Sequence, residues 1–305
     1  MAKEKENKPV VRELGCQTQP TTLIPPMPLS DPSKKNMRVW VGEVGDITYM
    51  LTPGTYKNDE GKIVDAGLPY GSIARNLLIT VFTLAKINGS PRIYLGKSRE
   101  EAAKILKCRV VTGKNGNCEQ IQQAFYSLFL ASMTIQRGKS LRKMNIFREF
   151  VAWEDAERKG SDEGWVELDH EFFEEQIYKR GFPLDLSAYL SMSRSPLAQD
   201  LYGWLCYRMN APGNRPLAIK WGDLHKQYGK DLGKTFHFKS KAVGAFQDYI
   251  FKVWPEMKEA TNFKTGHLYI KKIAPHVSRE ESKKLKFHPD VFSLPDSDPA
   301  LENQD

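Results

Sequence analysis

The order helix, strand, helix, turn, helix, two-stranded ribbon can be read twice along these 305 residues. That repetition predicts an α+β fold of two tandem winged-helix domains, with flexible tails at both ends. Charge is segregated in a way that suits it. Residues 97–148 carry 11 Lys/Arg against 3 Asp/Glu, and residues 220–286 carry 15 against 7. Between them, residues 149–200 carry 5 against 13. Two basic lobes about an acidic connector suit two contacts with one polyanion. Lysine-rich solvated surface is the plainer explanation. The boundaries read as a flexible tail (1–36), a strand-containing extension (37–65), a first winged-helix domain with the acidic connector (66–185), a second (186–275) and a C-terminal tail (276–305).

The elements follow in order. Residues 1–36 are rich in Pro, Lys and Thr and lack an apolar period. MRVWVGEVGDITYML, Met37 to Leu51, alternates like strands broken by glycine. A turn at Gly67, Pro69 and Gly71 opens a helix with Ile73, Leu77, Leu78, Val81, Leu84 and Ala85 apolar. RIYLG is a strand. Ser98 and Glu101 make a capping box for a helix bearing Ala102, Ala103, Ile105 and Leu106. The turn TGKNGN leads to a helix with Ile121, Phe125, Leu128 and Phe129 on one face, where Asn117 and Gln120 resemble a second box. Two strands, SMTIQ and MNIFREFVAW, then flank the basic loop RGKSLRK. WVELDHEFFEEQI predicts a strand and a short acidic helix. In the second half Ser195 caps a helix with Pro196 at its first position. LAIKW, GDLHKQY and the turn GKDLG follow. A longer helix carries Val243, Phe246, Ile250 and Val253 and stops before Pro255. HLYIKKI is the last strand, after the turn NFKTG.

Several chemistries are poorly supported. A phosphate-binding loop needs G-x-x-x-x-G-K-[ST]. Lys114 is followed by asparagine, Gly113 and Gly116 stand too close together, and the GKS at Gly96–Ser98 has Pro91 where glycine would be required. Cys108 and Cys118 have no paired C-x-x-C partner, and His225 and His237 lie among lysines, so no metal site or cofactor is expected. No His-hydrophobe-His element suggests a nicking nuclease. The acidic run Glu154, Asp155, Glu157, Asp162 and Glu163 reads as a solvated linker. Four unpatterned cysteines suit a reducing cytoplasm. No apolar run nears the roughly 20 residues that span a bilayer.

As DNA readers both halves make sense. A reading helix buries one face and shows polar or basic side chains on the other, with its positive N-terminus toward a phosphate. The first-half candidates are Lys114, Asn115 and Asn117 in the turn, then Gln120, Gln122, Gln123 and Tyr126. Asn and Gln can pair with adenine edges. Arg137, Lys139, Arg142 and Lys143 form the expected wing tip, aimed at minor groove or phosphate. The second-half equivalents are Lys234, Thr235, His237, Lys239, Ser240, Lys241 and Gln247, with Lys264 and His267 flanking the wing. Taken singly, each is more readily solvated helix surface.

Gly67 to Ala85, GLPYGSIARNLLITVFTLA, resembles the turn and helix that opens the shared region of bacterial plasmid replication initiators of the RepA type. SMSRSPLAQDLYGWLCYRM, Ser191 to Met209, resembles the start of their second winged helix through Ser195, Leu197, Ala198, Asp200, Leu201, Tyr202, Trp204 and Leu205. WGDLHKQYG and FKSKAVGAF also fit, so the resemblance spans roughly residues 65–275. Ala74 departs from it, standing where proline is expected. The resemblance implies a non-enzymatic initiator that binds direct repeats (iterons) in double-stranded plasmid origin DNA, helps melt A·T-rich DNA beside them and recruits the host replicative helicase and the host initiator. It also implies binding as a monomer, a homodimer formed through the first domain and a bacterial cytoplasmic location. Asn117–Tyr126 and Lys234–Gln247 would then enter successive major grooves, and Pro69, Tyr70 and Gly71 would be a structural turn. A winged-helix transcriptional repressor or copy-number regulator is the alternative within the binding class. An NTPase or nicking enzyme is the alternative outside it.

Overall fold

The computed structural model describes residues 14–17, 39–58, 60–107, 118–152, 160–229 and 232–284. Helices and strands are mixed along the chain, an α+β architecture. The elements run β1 (Leu14–Gln17), β2 (Trp40–Val44), β3 (Ile47–Thr52), β4 (Thr55–Lys57), β5 (Ile63–Asp65), α1 (Gly71–Asn88), β6 (Arg92–Gly96), α2 (Arg99–Ile105) and α3 (Cys118–Leu130). Then come β7 (Ser132–Arg137), β8 (Ser140–Asn145), β9 (Phe147–Val151), β10 (Gly164–Leu168) and α4 (His170–Phe172), which runs on as a π-helical segment, Phe173–Tyr178. The second half holds β11 (Phe182–Asp185), α5 (Leu186–Ser191), α6 (Pro196–Asn210), β12 (Leu217–Lys220), α7 (Trp221–Tyr228) and α8 (Thr235–Ala245). A π-helical segment, Phe246–Ile250, joins α8 to α9 (Phe251–Val253). The last elements are α10 (Glu256–Ala260), β13 (Thr261–Phe263), β14 (His267–Ile270) and α11 (Arg279–Lys284).

Local signals place several of these boundaries. The Ser98 hydroxyl accepts from the Glu101 N–H at 3.2 Å. Glu101 reaches back to the Lys97 N–H at 2.7 Å, one residue earlier than a capping box requires. The Ser195 hydroxyl likewise accepts from the Ala198 N–H at 3.2 Å, with Pro196 at the first helical position. At the end of α1, Gly89 takes φ +63° and returns its N–H to the Ala85 carbonyl, a left-handed cap that glycine adopts without steric cost. α8 and its continuation end at Val253, two residues before Pro255, as predicted.

Two large apolar cores form among the described residues. Leu77, Leu78, Val81 and Phe82 of α1 meet Ile93, Leu95, Val166, Leu168 and Phe172 in the first. Leu201, Tyr202 and Leu205 of α6 meet Phe238, Phe246, Ile250, Leu268 and Ile270 in the second. Burying each large apolar side chain contributes roughly 1.5–3 kcal/mol. Ile79 of α1 belongs to the second core, so α1 is shared. That explains why Leu77 through Ala85 are buried without a break, where an amphipathic stripe would leave one face wet.

The sheets repeat one topology. β6 pairs antiparallel with β10, and β10 with β9. β12 pairs antiparallel with β14, and β14 with β13. In each half the strand after the first helix therefore joins the last strand, which joins the penultimate one. The ribbon β7–β8 does not enter the first of these sheets. It extends the N-terminal hairpin β2–β3 into a four-stranded sheet, order β2-β3-β7-β8. The predicted single strand Met144–Trp153 is accordingly two: Met144 pairs with Met133 of β7, whereas Phe150 pairs with Val166 of β10.

Other differences have local causes. The segment read as a flexible tail contributes β1, which pairs with β11 and gives the Cys16 N–H to the Thr83 hydroxyl at 2.9 Å. Four residues carry too short a period to stand out in a sequence. Asn262 and Phe263, read as turn, are in β13, and the turn proper is Lys264–Gly266. At the other end, His276 and Val277 are buried, with the His276 ring stacked on Trp254 at 5.0 Å. The fold thus continues past the predicted boundary at 275.

Candidate nucleic-acid interface

In the second half, Lys234, Thr235, His237, Lys239, Ser240, Lys241 and Gln247 lie at or along α8, and Lys264 opens the β13–β14 turn. α8 buries Phe238, Ala242 and Ala245. Its other side leaves Thr235, His237, Ser240 and Lys241 exposed, followed by Gln247. Lys234, the residue before the helix, is also exposed. The hairpin is held against the helix start. Lys239 Nζ donates to the Lys264 carbonyl at 3.0 Å and lies 5.6 Å from the Trp221 ring. The Trp221 indole N–H donates to the same carbonyl at 2.9 Å. Lys264 Nζ stands 4.9 Å over the Tyr269 ring. Lys239 is therefore half-buried and tethered, where the sequence suggested a free cation. Thr235 is likewise engaged, its hydroxyl 3.0 Å from His225 Nδ1. This surface can offer cations and hydrogen-bonding side chains from one helix and one adjoining turn.

The first half is less coherent. Lys114, Asn115 and Asn117 lie outside the described residues. Gln120 and Gln122 are exposed on α3. Gln123 also faces outward, but its amide donates to the Ala66 carbonyl at 2.6 Å. Tyr126 stacks on Tyr56 of β4, ring centroids 4.7 Å apart and 3° from parallel, and meets Phe150 edge-on at 6.4 Å. Gln123 and Tyr126 thus anchor the segment before α1 onto α3. The sequence does not reveal this, because their partners lie 57 and 70 residues away.

The basic ribbon also sits elsewhere than expected. Arg137, Lys139, Arg142 and Lys143 are exposed on β7–β8, in the N-terminal sheet rather than beside β6. The hairpin that pairs with β6 is β9–β10, whose connection carries Glu154, Asp155, Glu157, Asp162 and Glu163. The acidic connector is therefore largely internal to the first half. Residues 153–159 of it lie outside the described residues. Two of the ribbon's cations are engaged. Arg137 pairs with Asp46 at 2.7 Å and holds that carboxyl below its usual range, chiefly by hydrogen bonding. Arg142 pairs with Glu171.

The two halves are joined by a buried ion pair. Arg75 Nε and Nη2 donate to the two oxygens of Asp200 at 2.8 and 2.7 Å, and Nη1 donates to the Gly71 carbonyl at 3.0 Å. Burial alone would lower the Arg75 guanidinium, but Asp200 holds it above its ordinary value. Asn76 adds a bond to Ser193 at 2.9 Å and receives one from Gln199 at 2.7 Å. Arg75 and Asp200 stand at matching places near the starts of α1 and α6. Sequence reasoning noted Asp200 as a pattern residue without finding its partner.

Among the described residues no cluster of three or more His, Cys, Asp or Glu could hold a metal ion. No described helix is long and apolar enough to cross a membrane. No curated protein matches the chain. A family model described as Plasmid encoded RepA protein (RepA_C) matches residues 68–221, from the turn before α1 to the start of α7. That span covers half of the sequence and includes both members of the Arg75–Asp200 pair. The chain belongs to this family of plasmid encoded RepA proteins, which carries a role in plasmid replication.

Proposed function

We propose that this protein is a plasmid replication initiator that binds double-stranded origin DNA through two winged-helix units, and that it acts by binding rather than by catalysis. The observation that carries the reading is the second half: helix, strand, two helices and a hairpin, with the first strand paired to the last, and an exposed polar and basic face on α8. In the winged-helix arrangement such a helix enters the major groove and the hairpin flanks it. Lys234, Lys241 and Lys264 would meet phosphates, while Ser240 and Gln247 would face base edges.

The first half has the same strand pairing, which supports a second unit of the same kind. Its reading helix would be α3, with Gln120 and Gln122 available. The ribbon β7–β8 would act as a separate basic arm through Lys139 and Lys143. Direct repeats would be met by both units on one face, held in register by Arg75 and Asp200. Melting of adjacent A·T-rich DNA, recruitment of the host helicase and host initiator, a homodimer and cytoplasmic action belong to the same reading.

A plasmid carrying only this gene and its flanking DNA tests it. Replication in a host that cannot otherwise maintain the plasmid is expected, along with loss of replication for Lys241→Ala with Lys264→Ala. Failure of the intact gene to support replication, with the protein present, would refute the initiator role. ATP hydrolysis or nicking of the origin by the pure protein would refute the non-enzymatic reading.

A further inference from the structure

Phe236 is 63% exposed in the first turn of α8. It stands two residues before the buried Phe238, about 200° around the helix from it. The stripe that starts at Phe236 continues through Ser240, Gly244 and Gln247, at intervals of four, four and three residues. Ser240 and Gln247 are exposed. At Gly244 a Cβ would meet nothing closer than an Asp248 oxygen at 3.8 Å. The outward stripe is thus one large ring followed by small residues and a glutamine, a shape that lets another surface approach closely. The Phe236 ring lies 3.7 Å from the His237 ring, which limits its swing.

The surroundings select the kind of surface. Lys234 precedes the same helix and Lys241 lies on it, both exposed. Exposed lysines there suit a polyanion, and the exposed ring suits an apolar group packed on it. The major groove of duplex DNA offers one such group, the 5-methyl of thymine. We propose that Phe236 is a specificity-determining residue that packs on a thymine methyl in the major groove. This rests on the DNA-binding reading above and adds a stated base preference at one position of the site.

The test uses the full chain and duplexes that it enriches from a random library. Each thymine in the enriched site is replaced in turn by deoxyuridine, which removes the methyl and keeps the pairing. Wild type is expected to lose about three- to five-fold in affinity at one position, the scale of one buried methyl group. Phe236→Ala should lose a similar factor on the thymine duplex and nothing further on deoxyuridine. Phe236→Leu, which keeps an apolar end, should retain part of the sensitivity. Equal binding of every deoxyuridine duplex by wild type overturns the proposal, and this arm needs no variant. Undiminished deoxyuridine sensitivity in Phe236→Ala also overturns it, because another residue then reads the methyl. Enrichment of no duplex at all overturns the DNA-binding reading and this inference with it, and is distinguishable from the other outcomes.

Discussion

Arg75→Ala should be among the most damaging single substitutions in the molecule. The guanidinium and the Asp200 carboxylate have side chains 0% and 4% exposed, so neither charge can turn to water when its partner is lost. Removing one member of a buried, bidentate pair typically costs about 3–5 kcal/mol, largely because the other charge is stranded. A folded domain retains only about 5–15 kcal/mol in total, so roughly a fifth or more of the stability is at stake. Asp200→Ala should cost a similar amount. The double variant Arg75→Met with Asp200→Leu removes both charges and should recover most of the loss. Urea denaturation read by fluorescence measures this. Trp40 reports the first core and Trp204, Trp221 and Trp254 report the second. In single-tryptophan versions the transitions should coincide in wild type and separate in Arg75→Ala. Single variants within about 1 kcal/mol of wild type, or a double variant that simply adds their losses, would refute the reasoning.

Three further outcomes are expected. Lys241→Ala should weaken DNA binding and lower the salt slope by about one unit without changing the melting temperature, whereas Lys239→Ala should also loosen the hairpin held at Lys264, seen as faster amide exchange there. Burial pushes the Cys16 thiol up to about 12 from 9.0, and Cys206 is pushed up by burial as well. The folded protein keeps these protons where the unfolded chain loses them, so stability is lost as pH rises above about 9, by up to about 1.4 kcal/mol per pH unit for each thiol. In a variant with Cys108 and Cys118 changed to serine, a thiol reagent at neutral pH should react only after denaturant is added. Rapid labelling of the native form would contradict that burial. Finally, deletion through Gln17 should lower the melting temperature by several degrees, since β1 covers Thr83 and pairs with β11. An unchanged melting curve would show that β1 adds nothing.

Local signals were legible in the sequence where they act within a few residues. Ser98 and Ser195 mark helix starts through bonds spanning three positions, Pro196 fits the first helical position, and the packed face of α3 follows from its period. Pairing at long range was not legible. Nothing near SMTIQ says that it joins Ile47–Thr52 rather than Arg92–Gly96, because both strands offer similar alternating apolar residues. The ribbon's cations, read as a wing tip, therefore lie on the N-terminal sheet. The tethers of Gln123 to Ala66 and of Tyr126 to Tyr56 were not legible either, because those partners lie 57 and 70 residues away, in and just after the strand-containing extension. Phe236 could have been found: its offset of two from Phe238 puts one of the two rings outside on any helix.

In the proposed function, two surfaces of this chain grip duplex DNA through its phosphates, and side chains of α8 read bases. Titration of full-length protein against a duplex bearing the repeats of its own plasmid, and against a scrambled duplex, over 50 to 200 mM salt tests it most directly. With about five phosphate contacts, from Lys139, Lys143, Lys234, Lys241 and Lys264, affinity should fall roughly 500-fold across that range, with the repeat duplex preferred throughout. A flat salt response, or equal affinity for the scrambled duplex, would contradict the account.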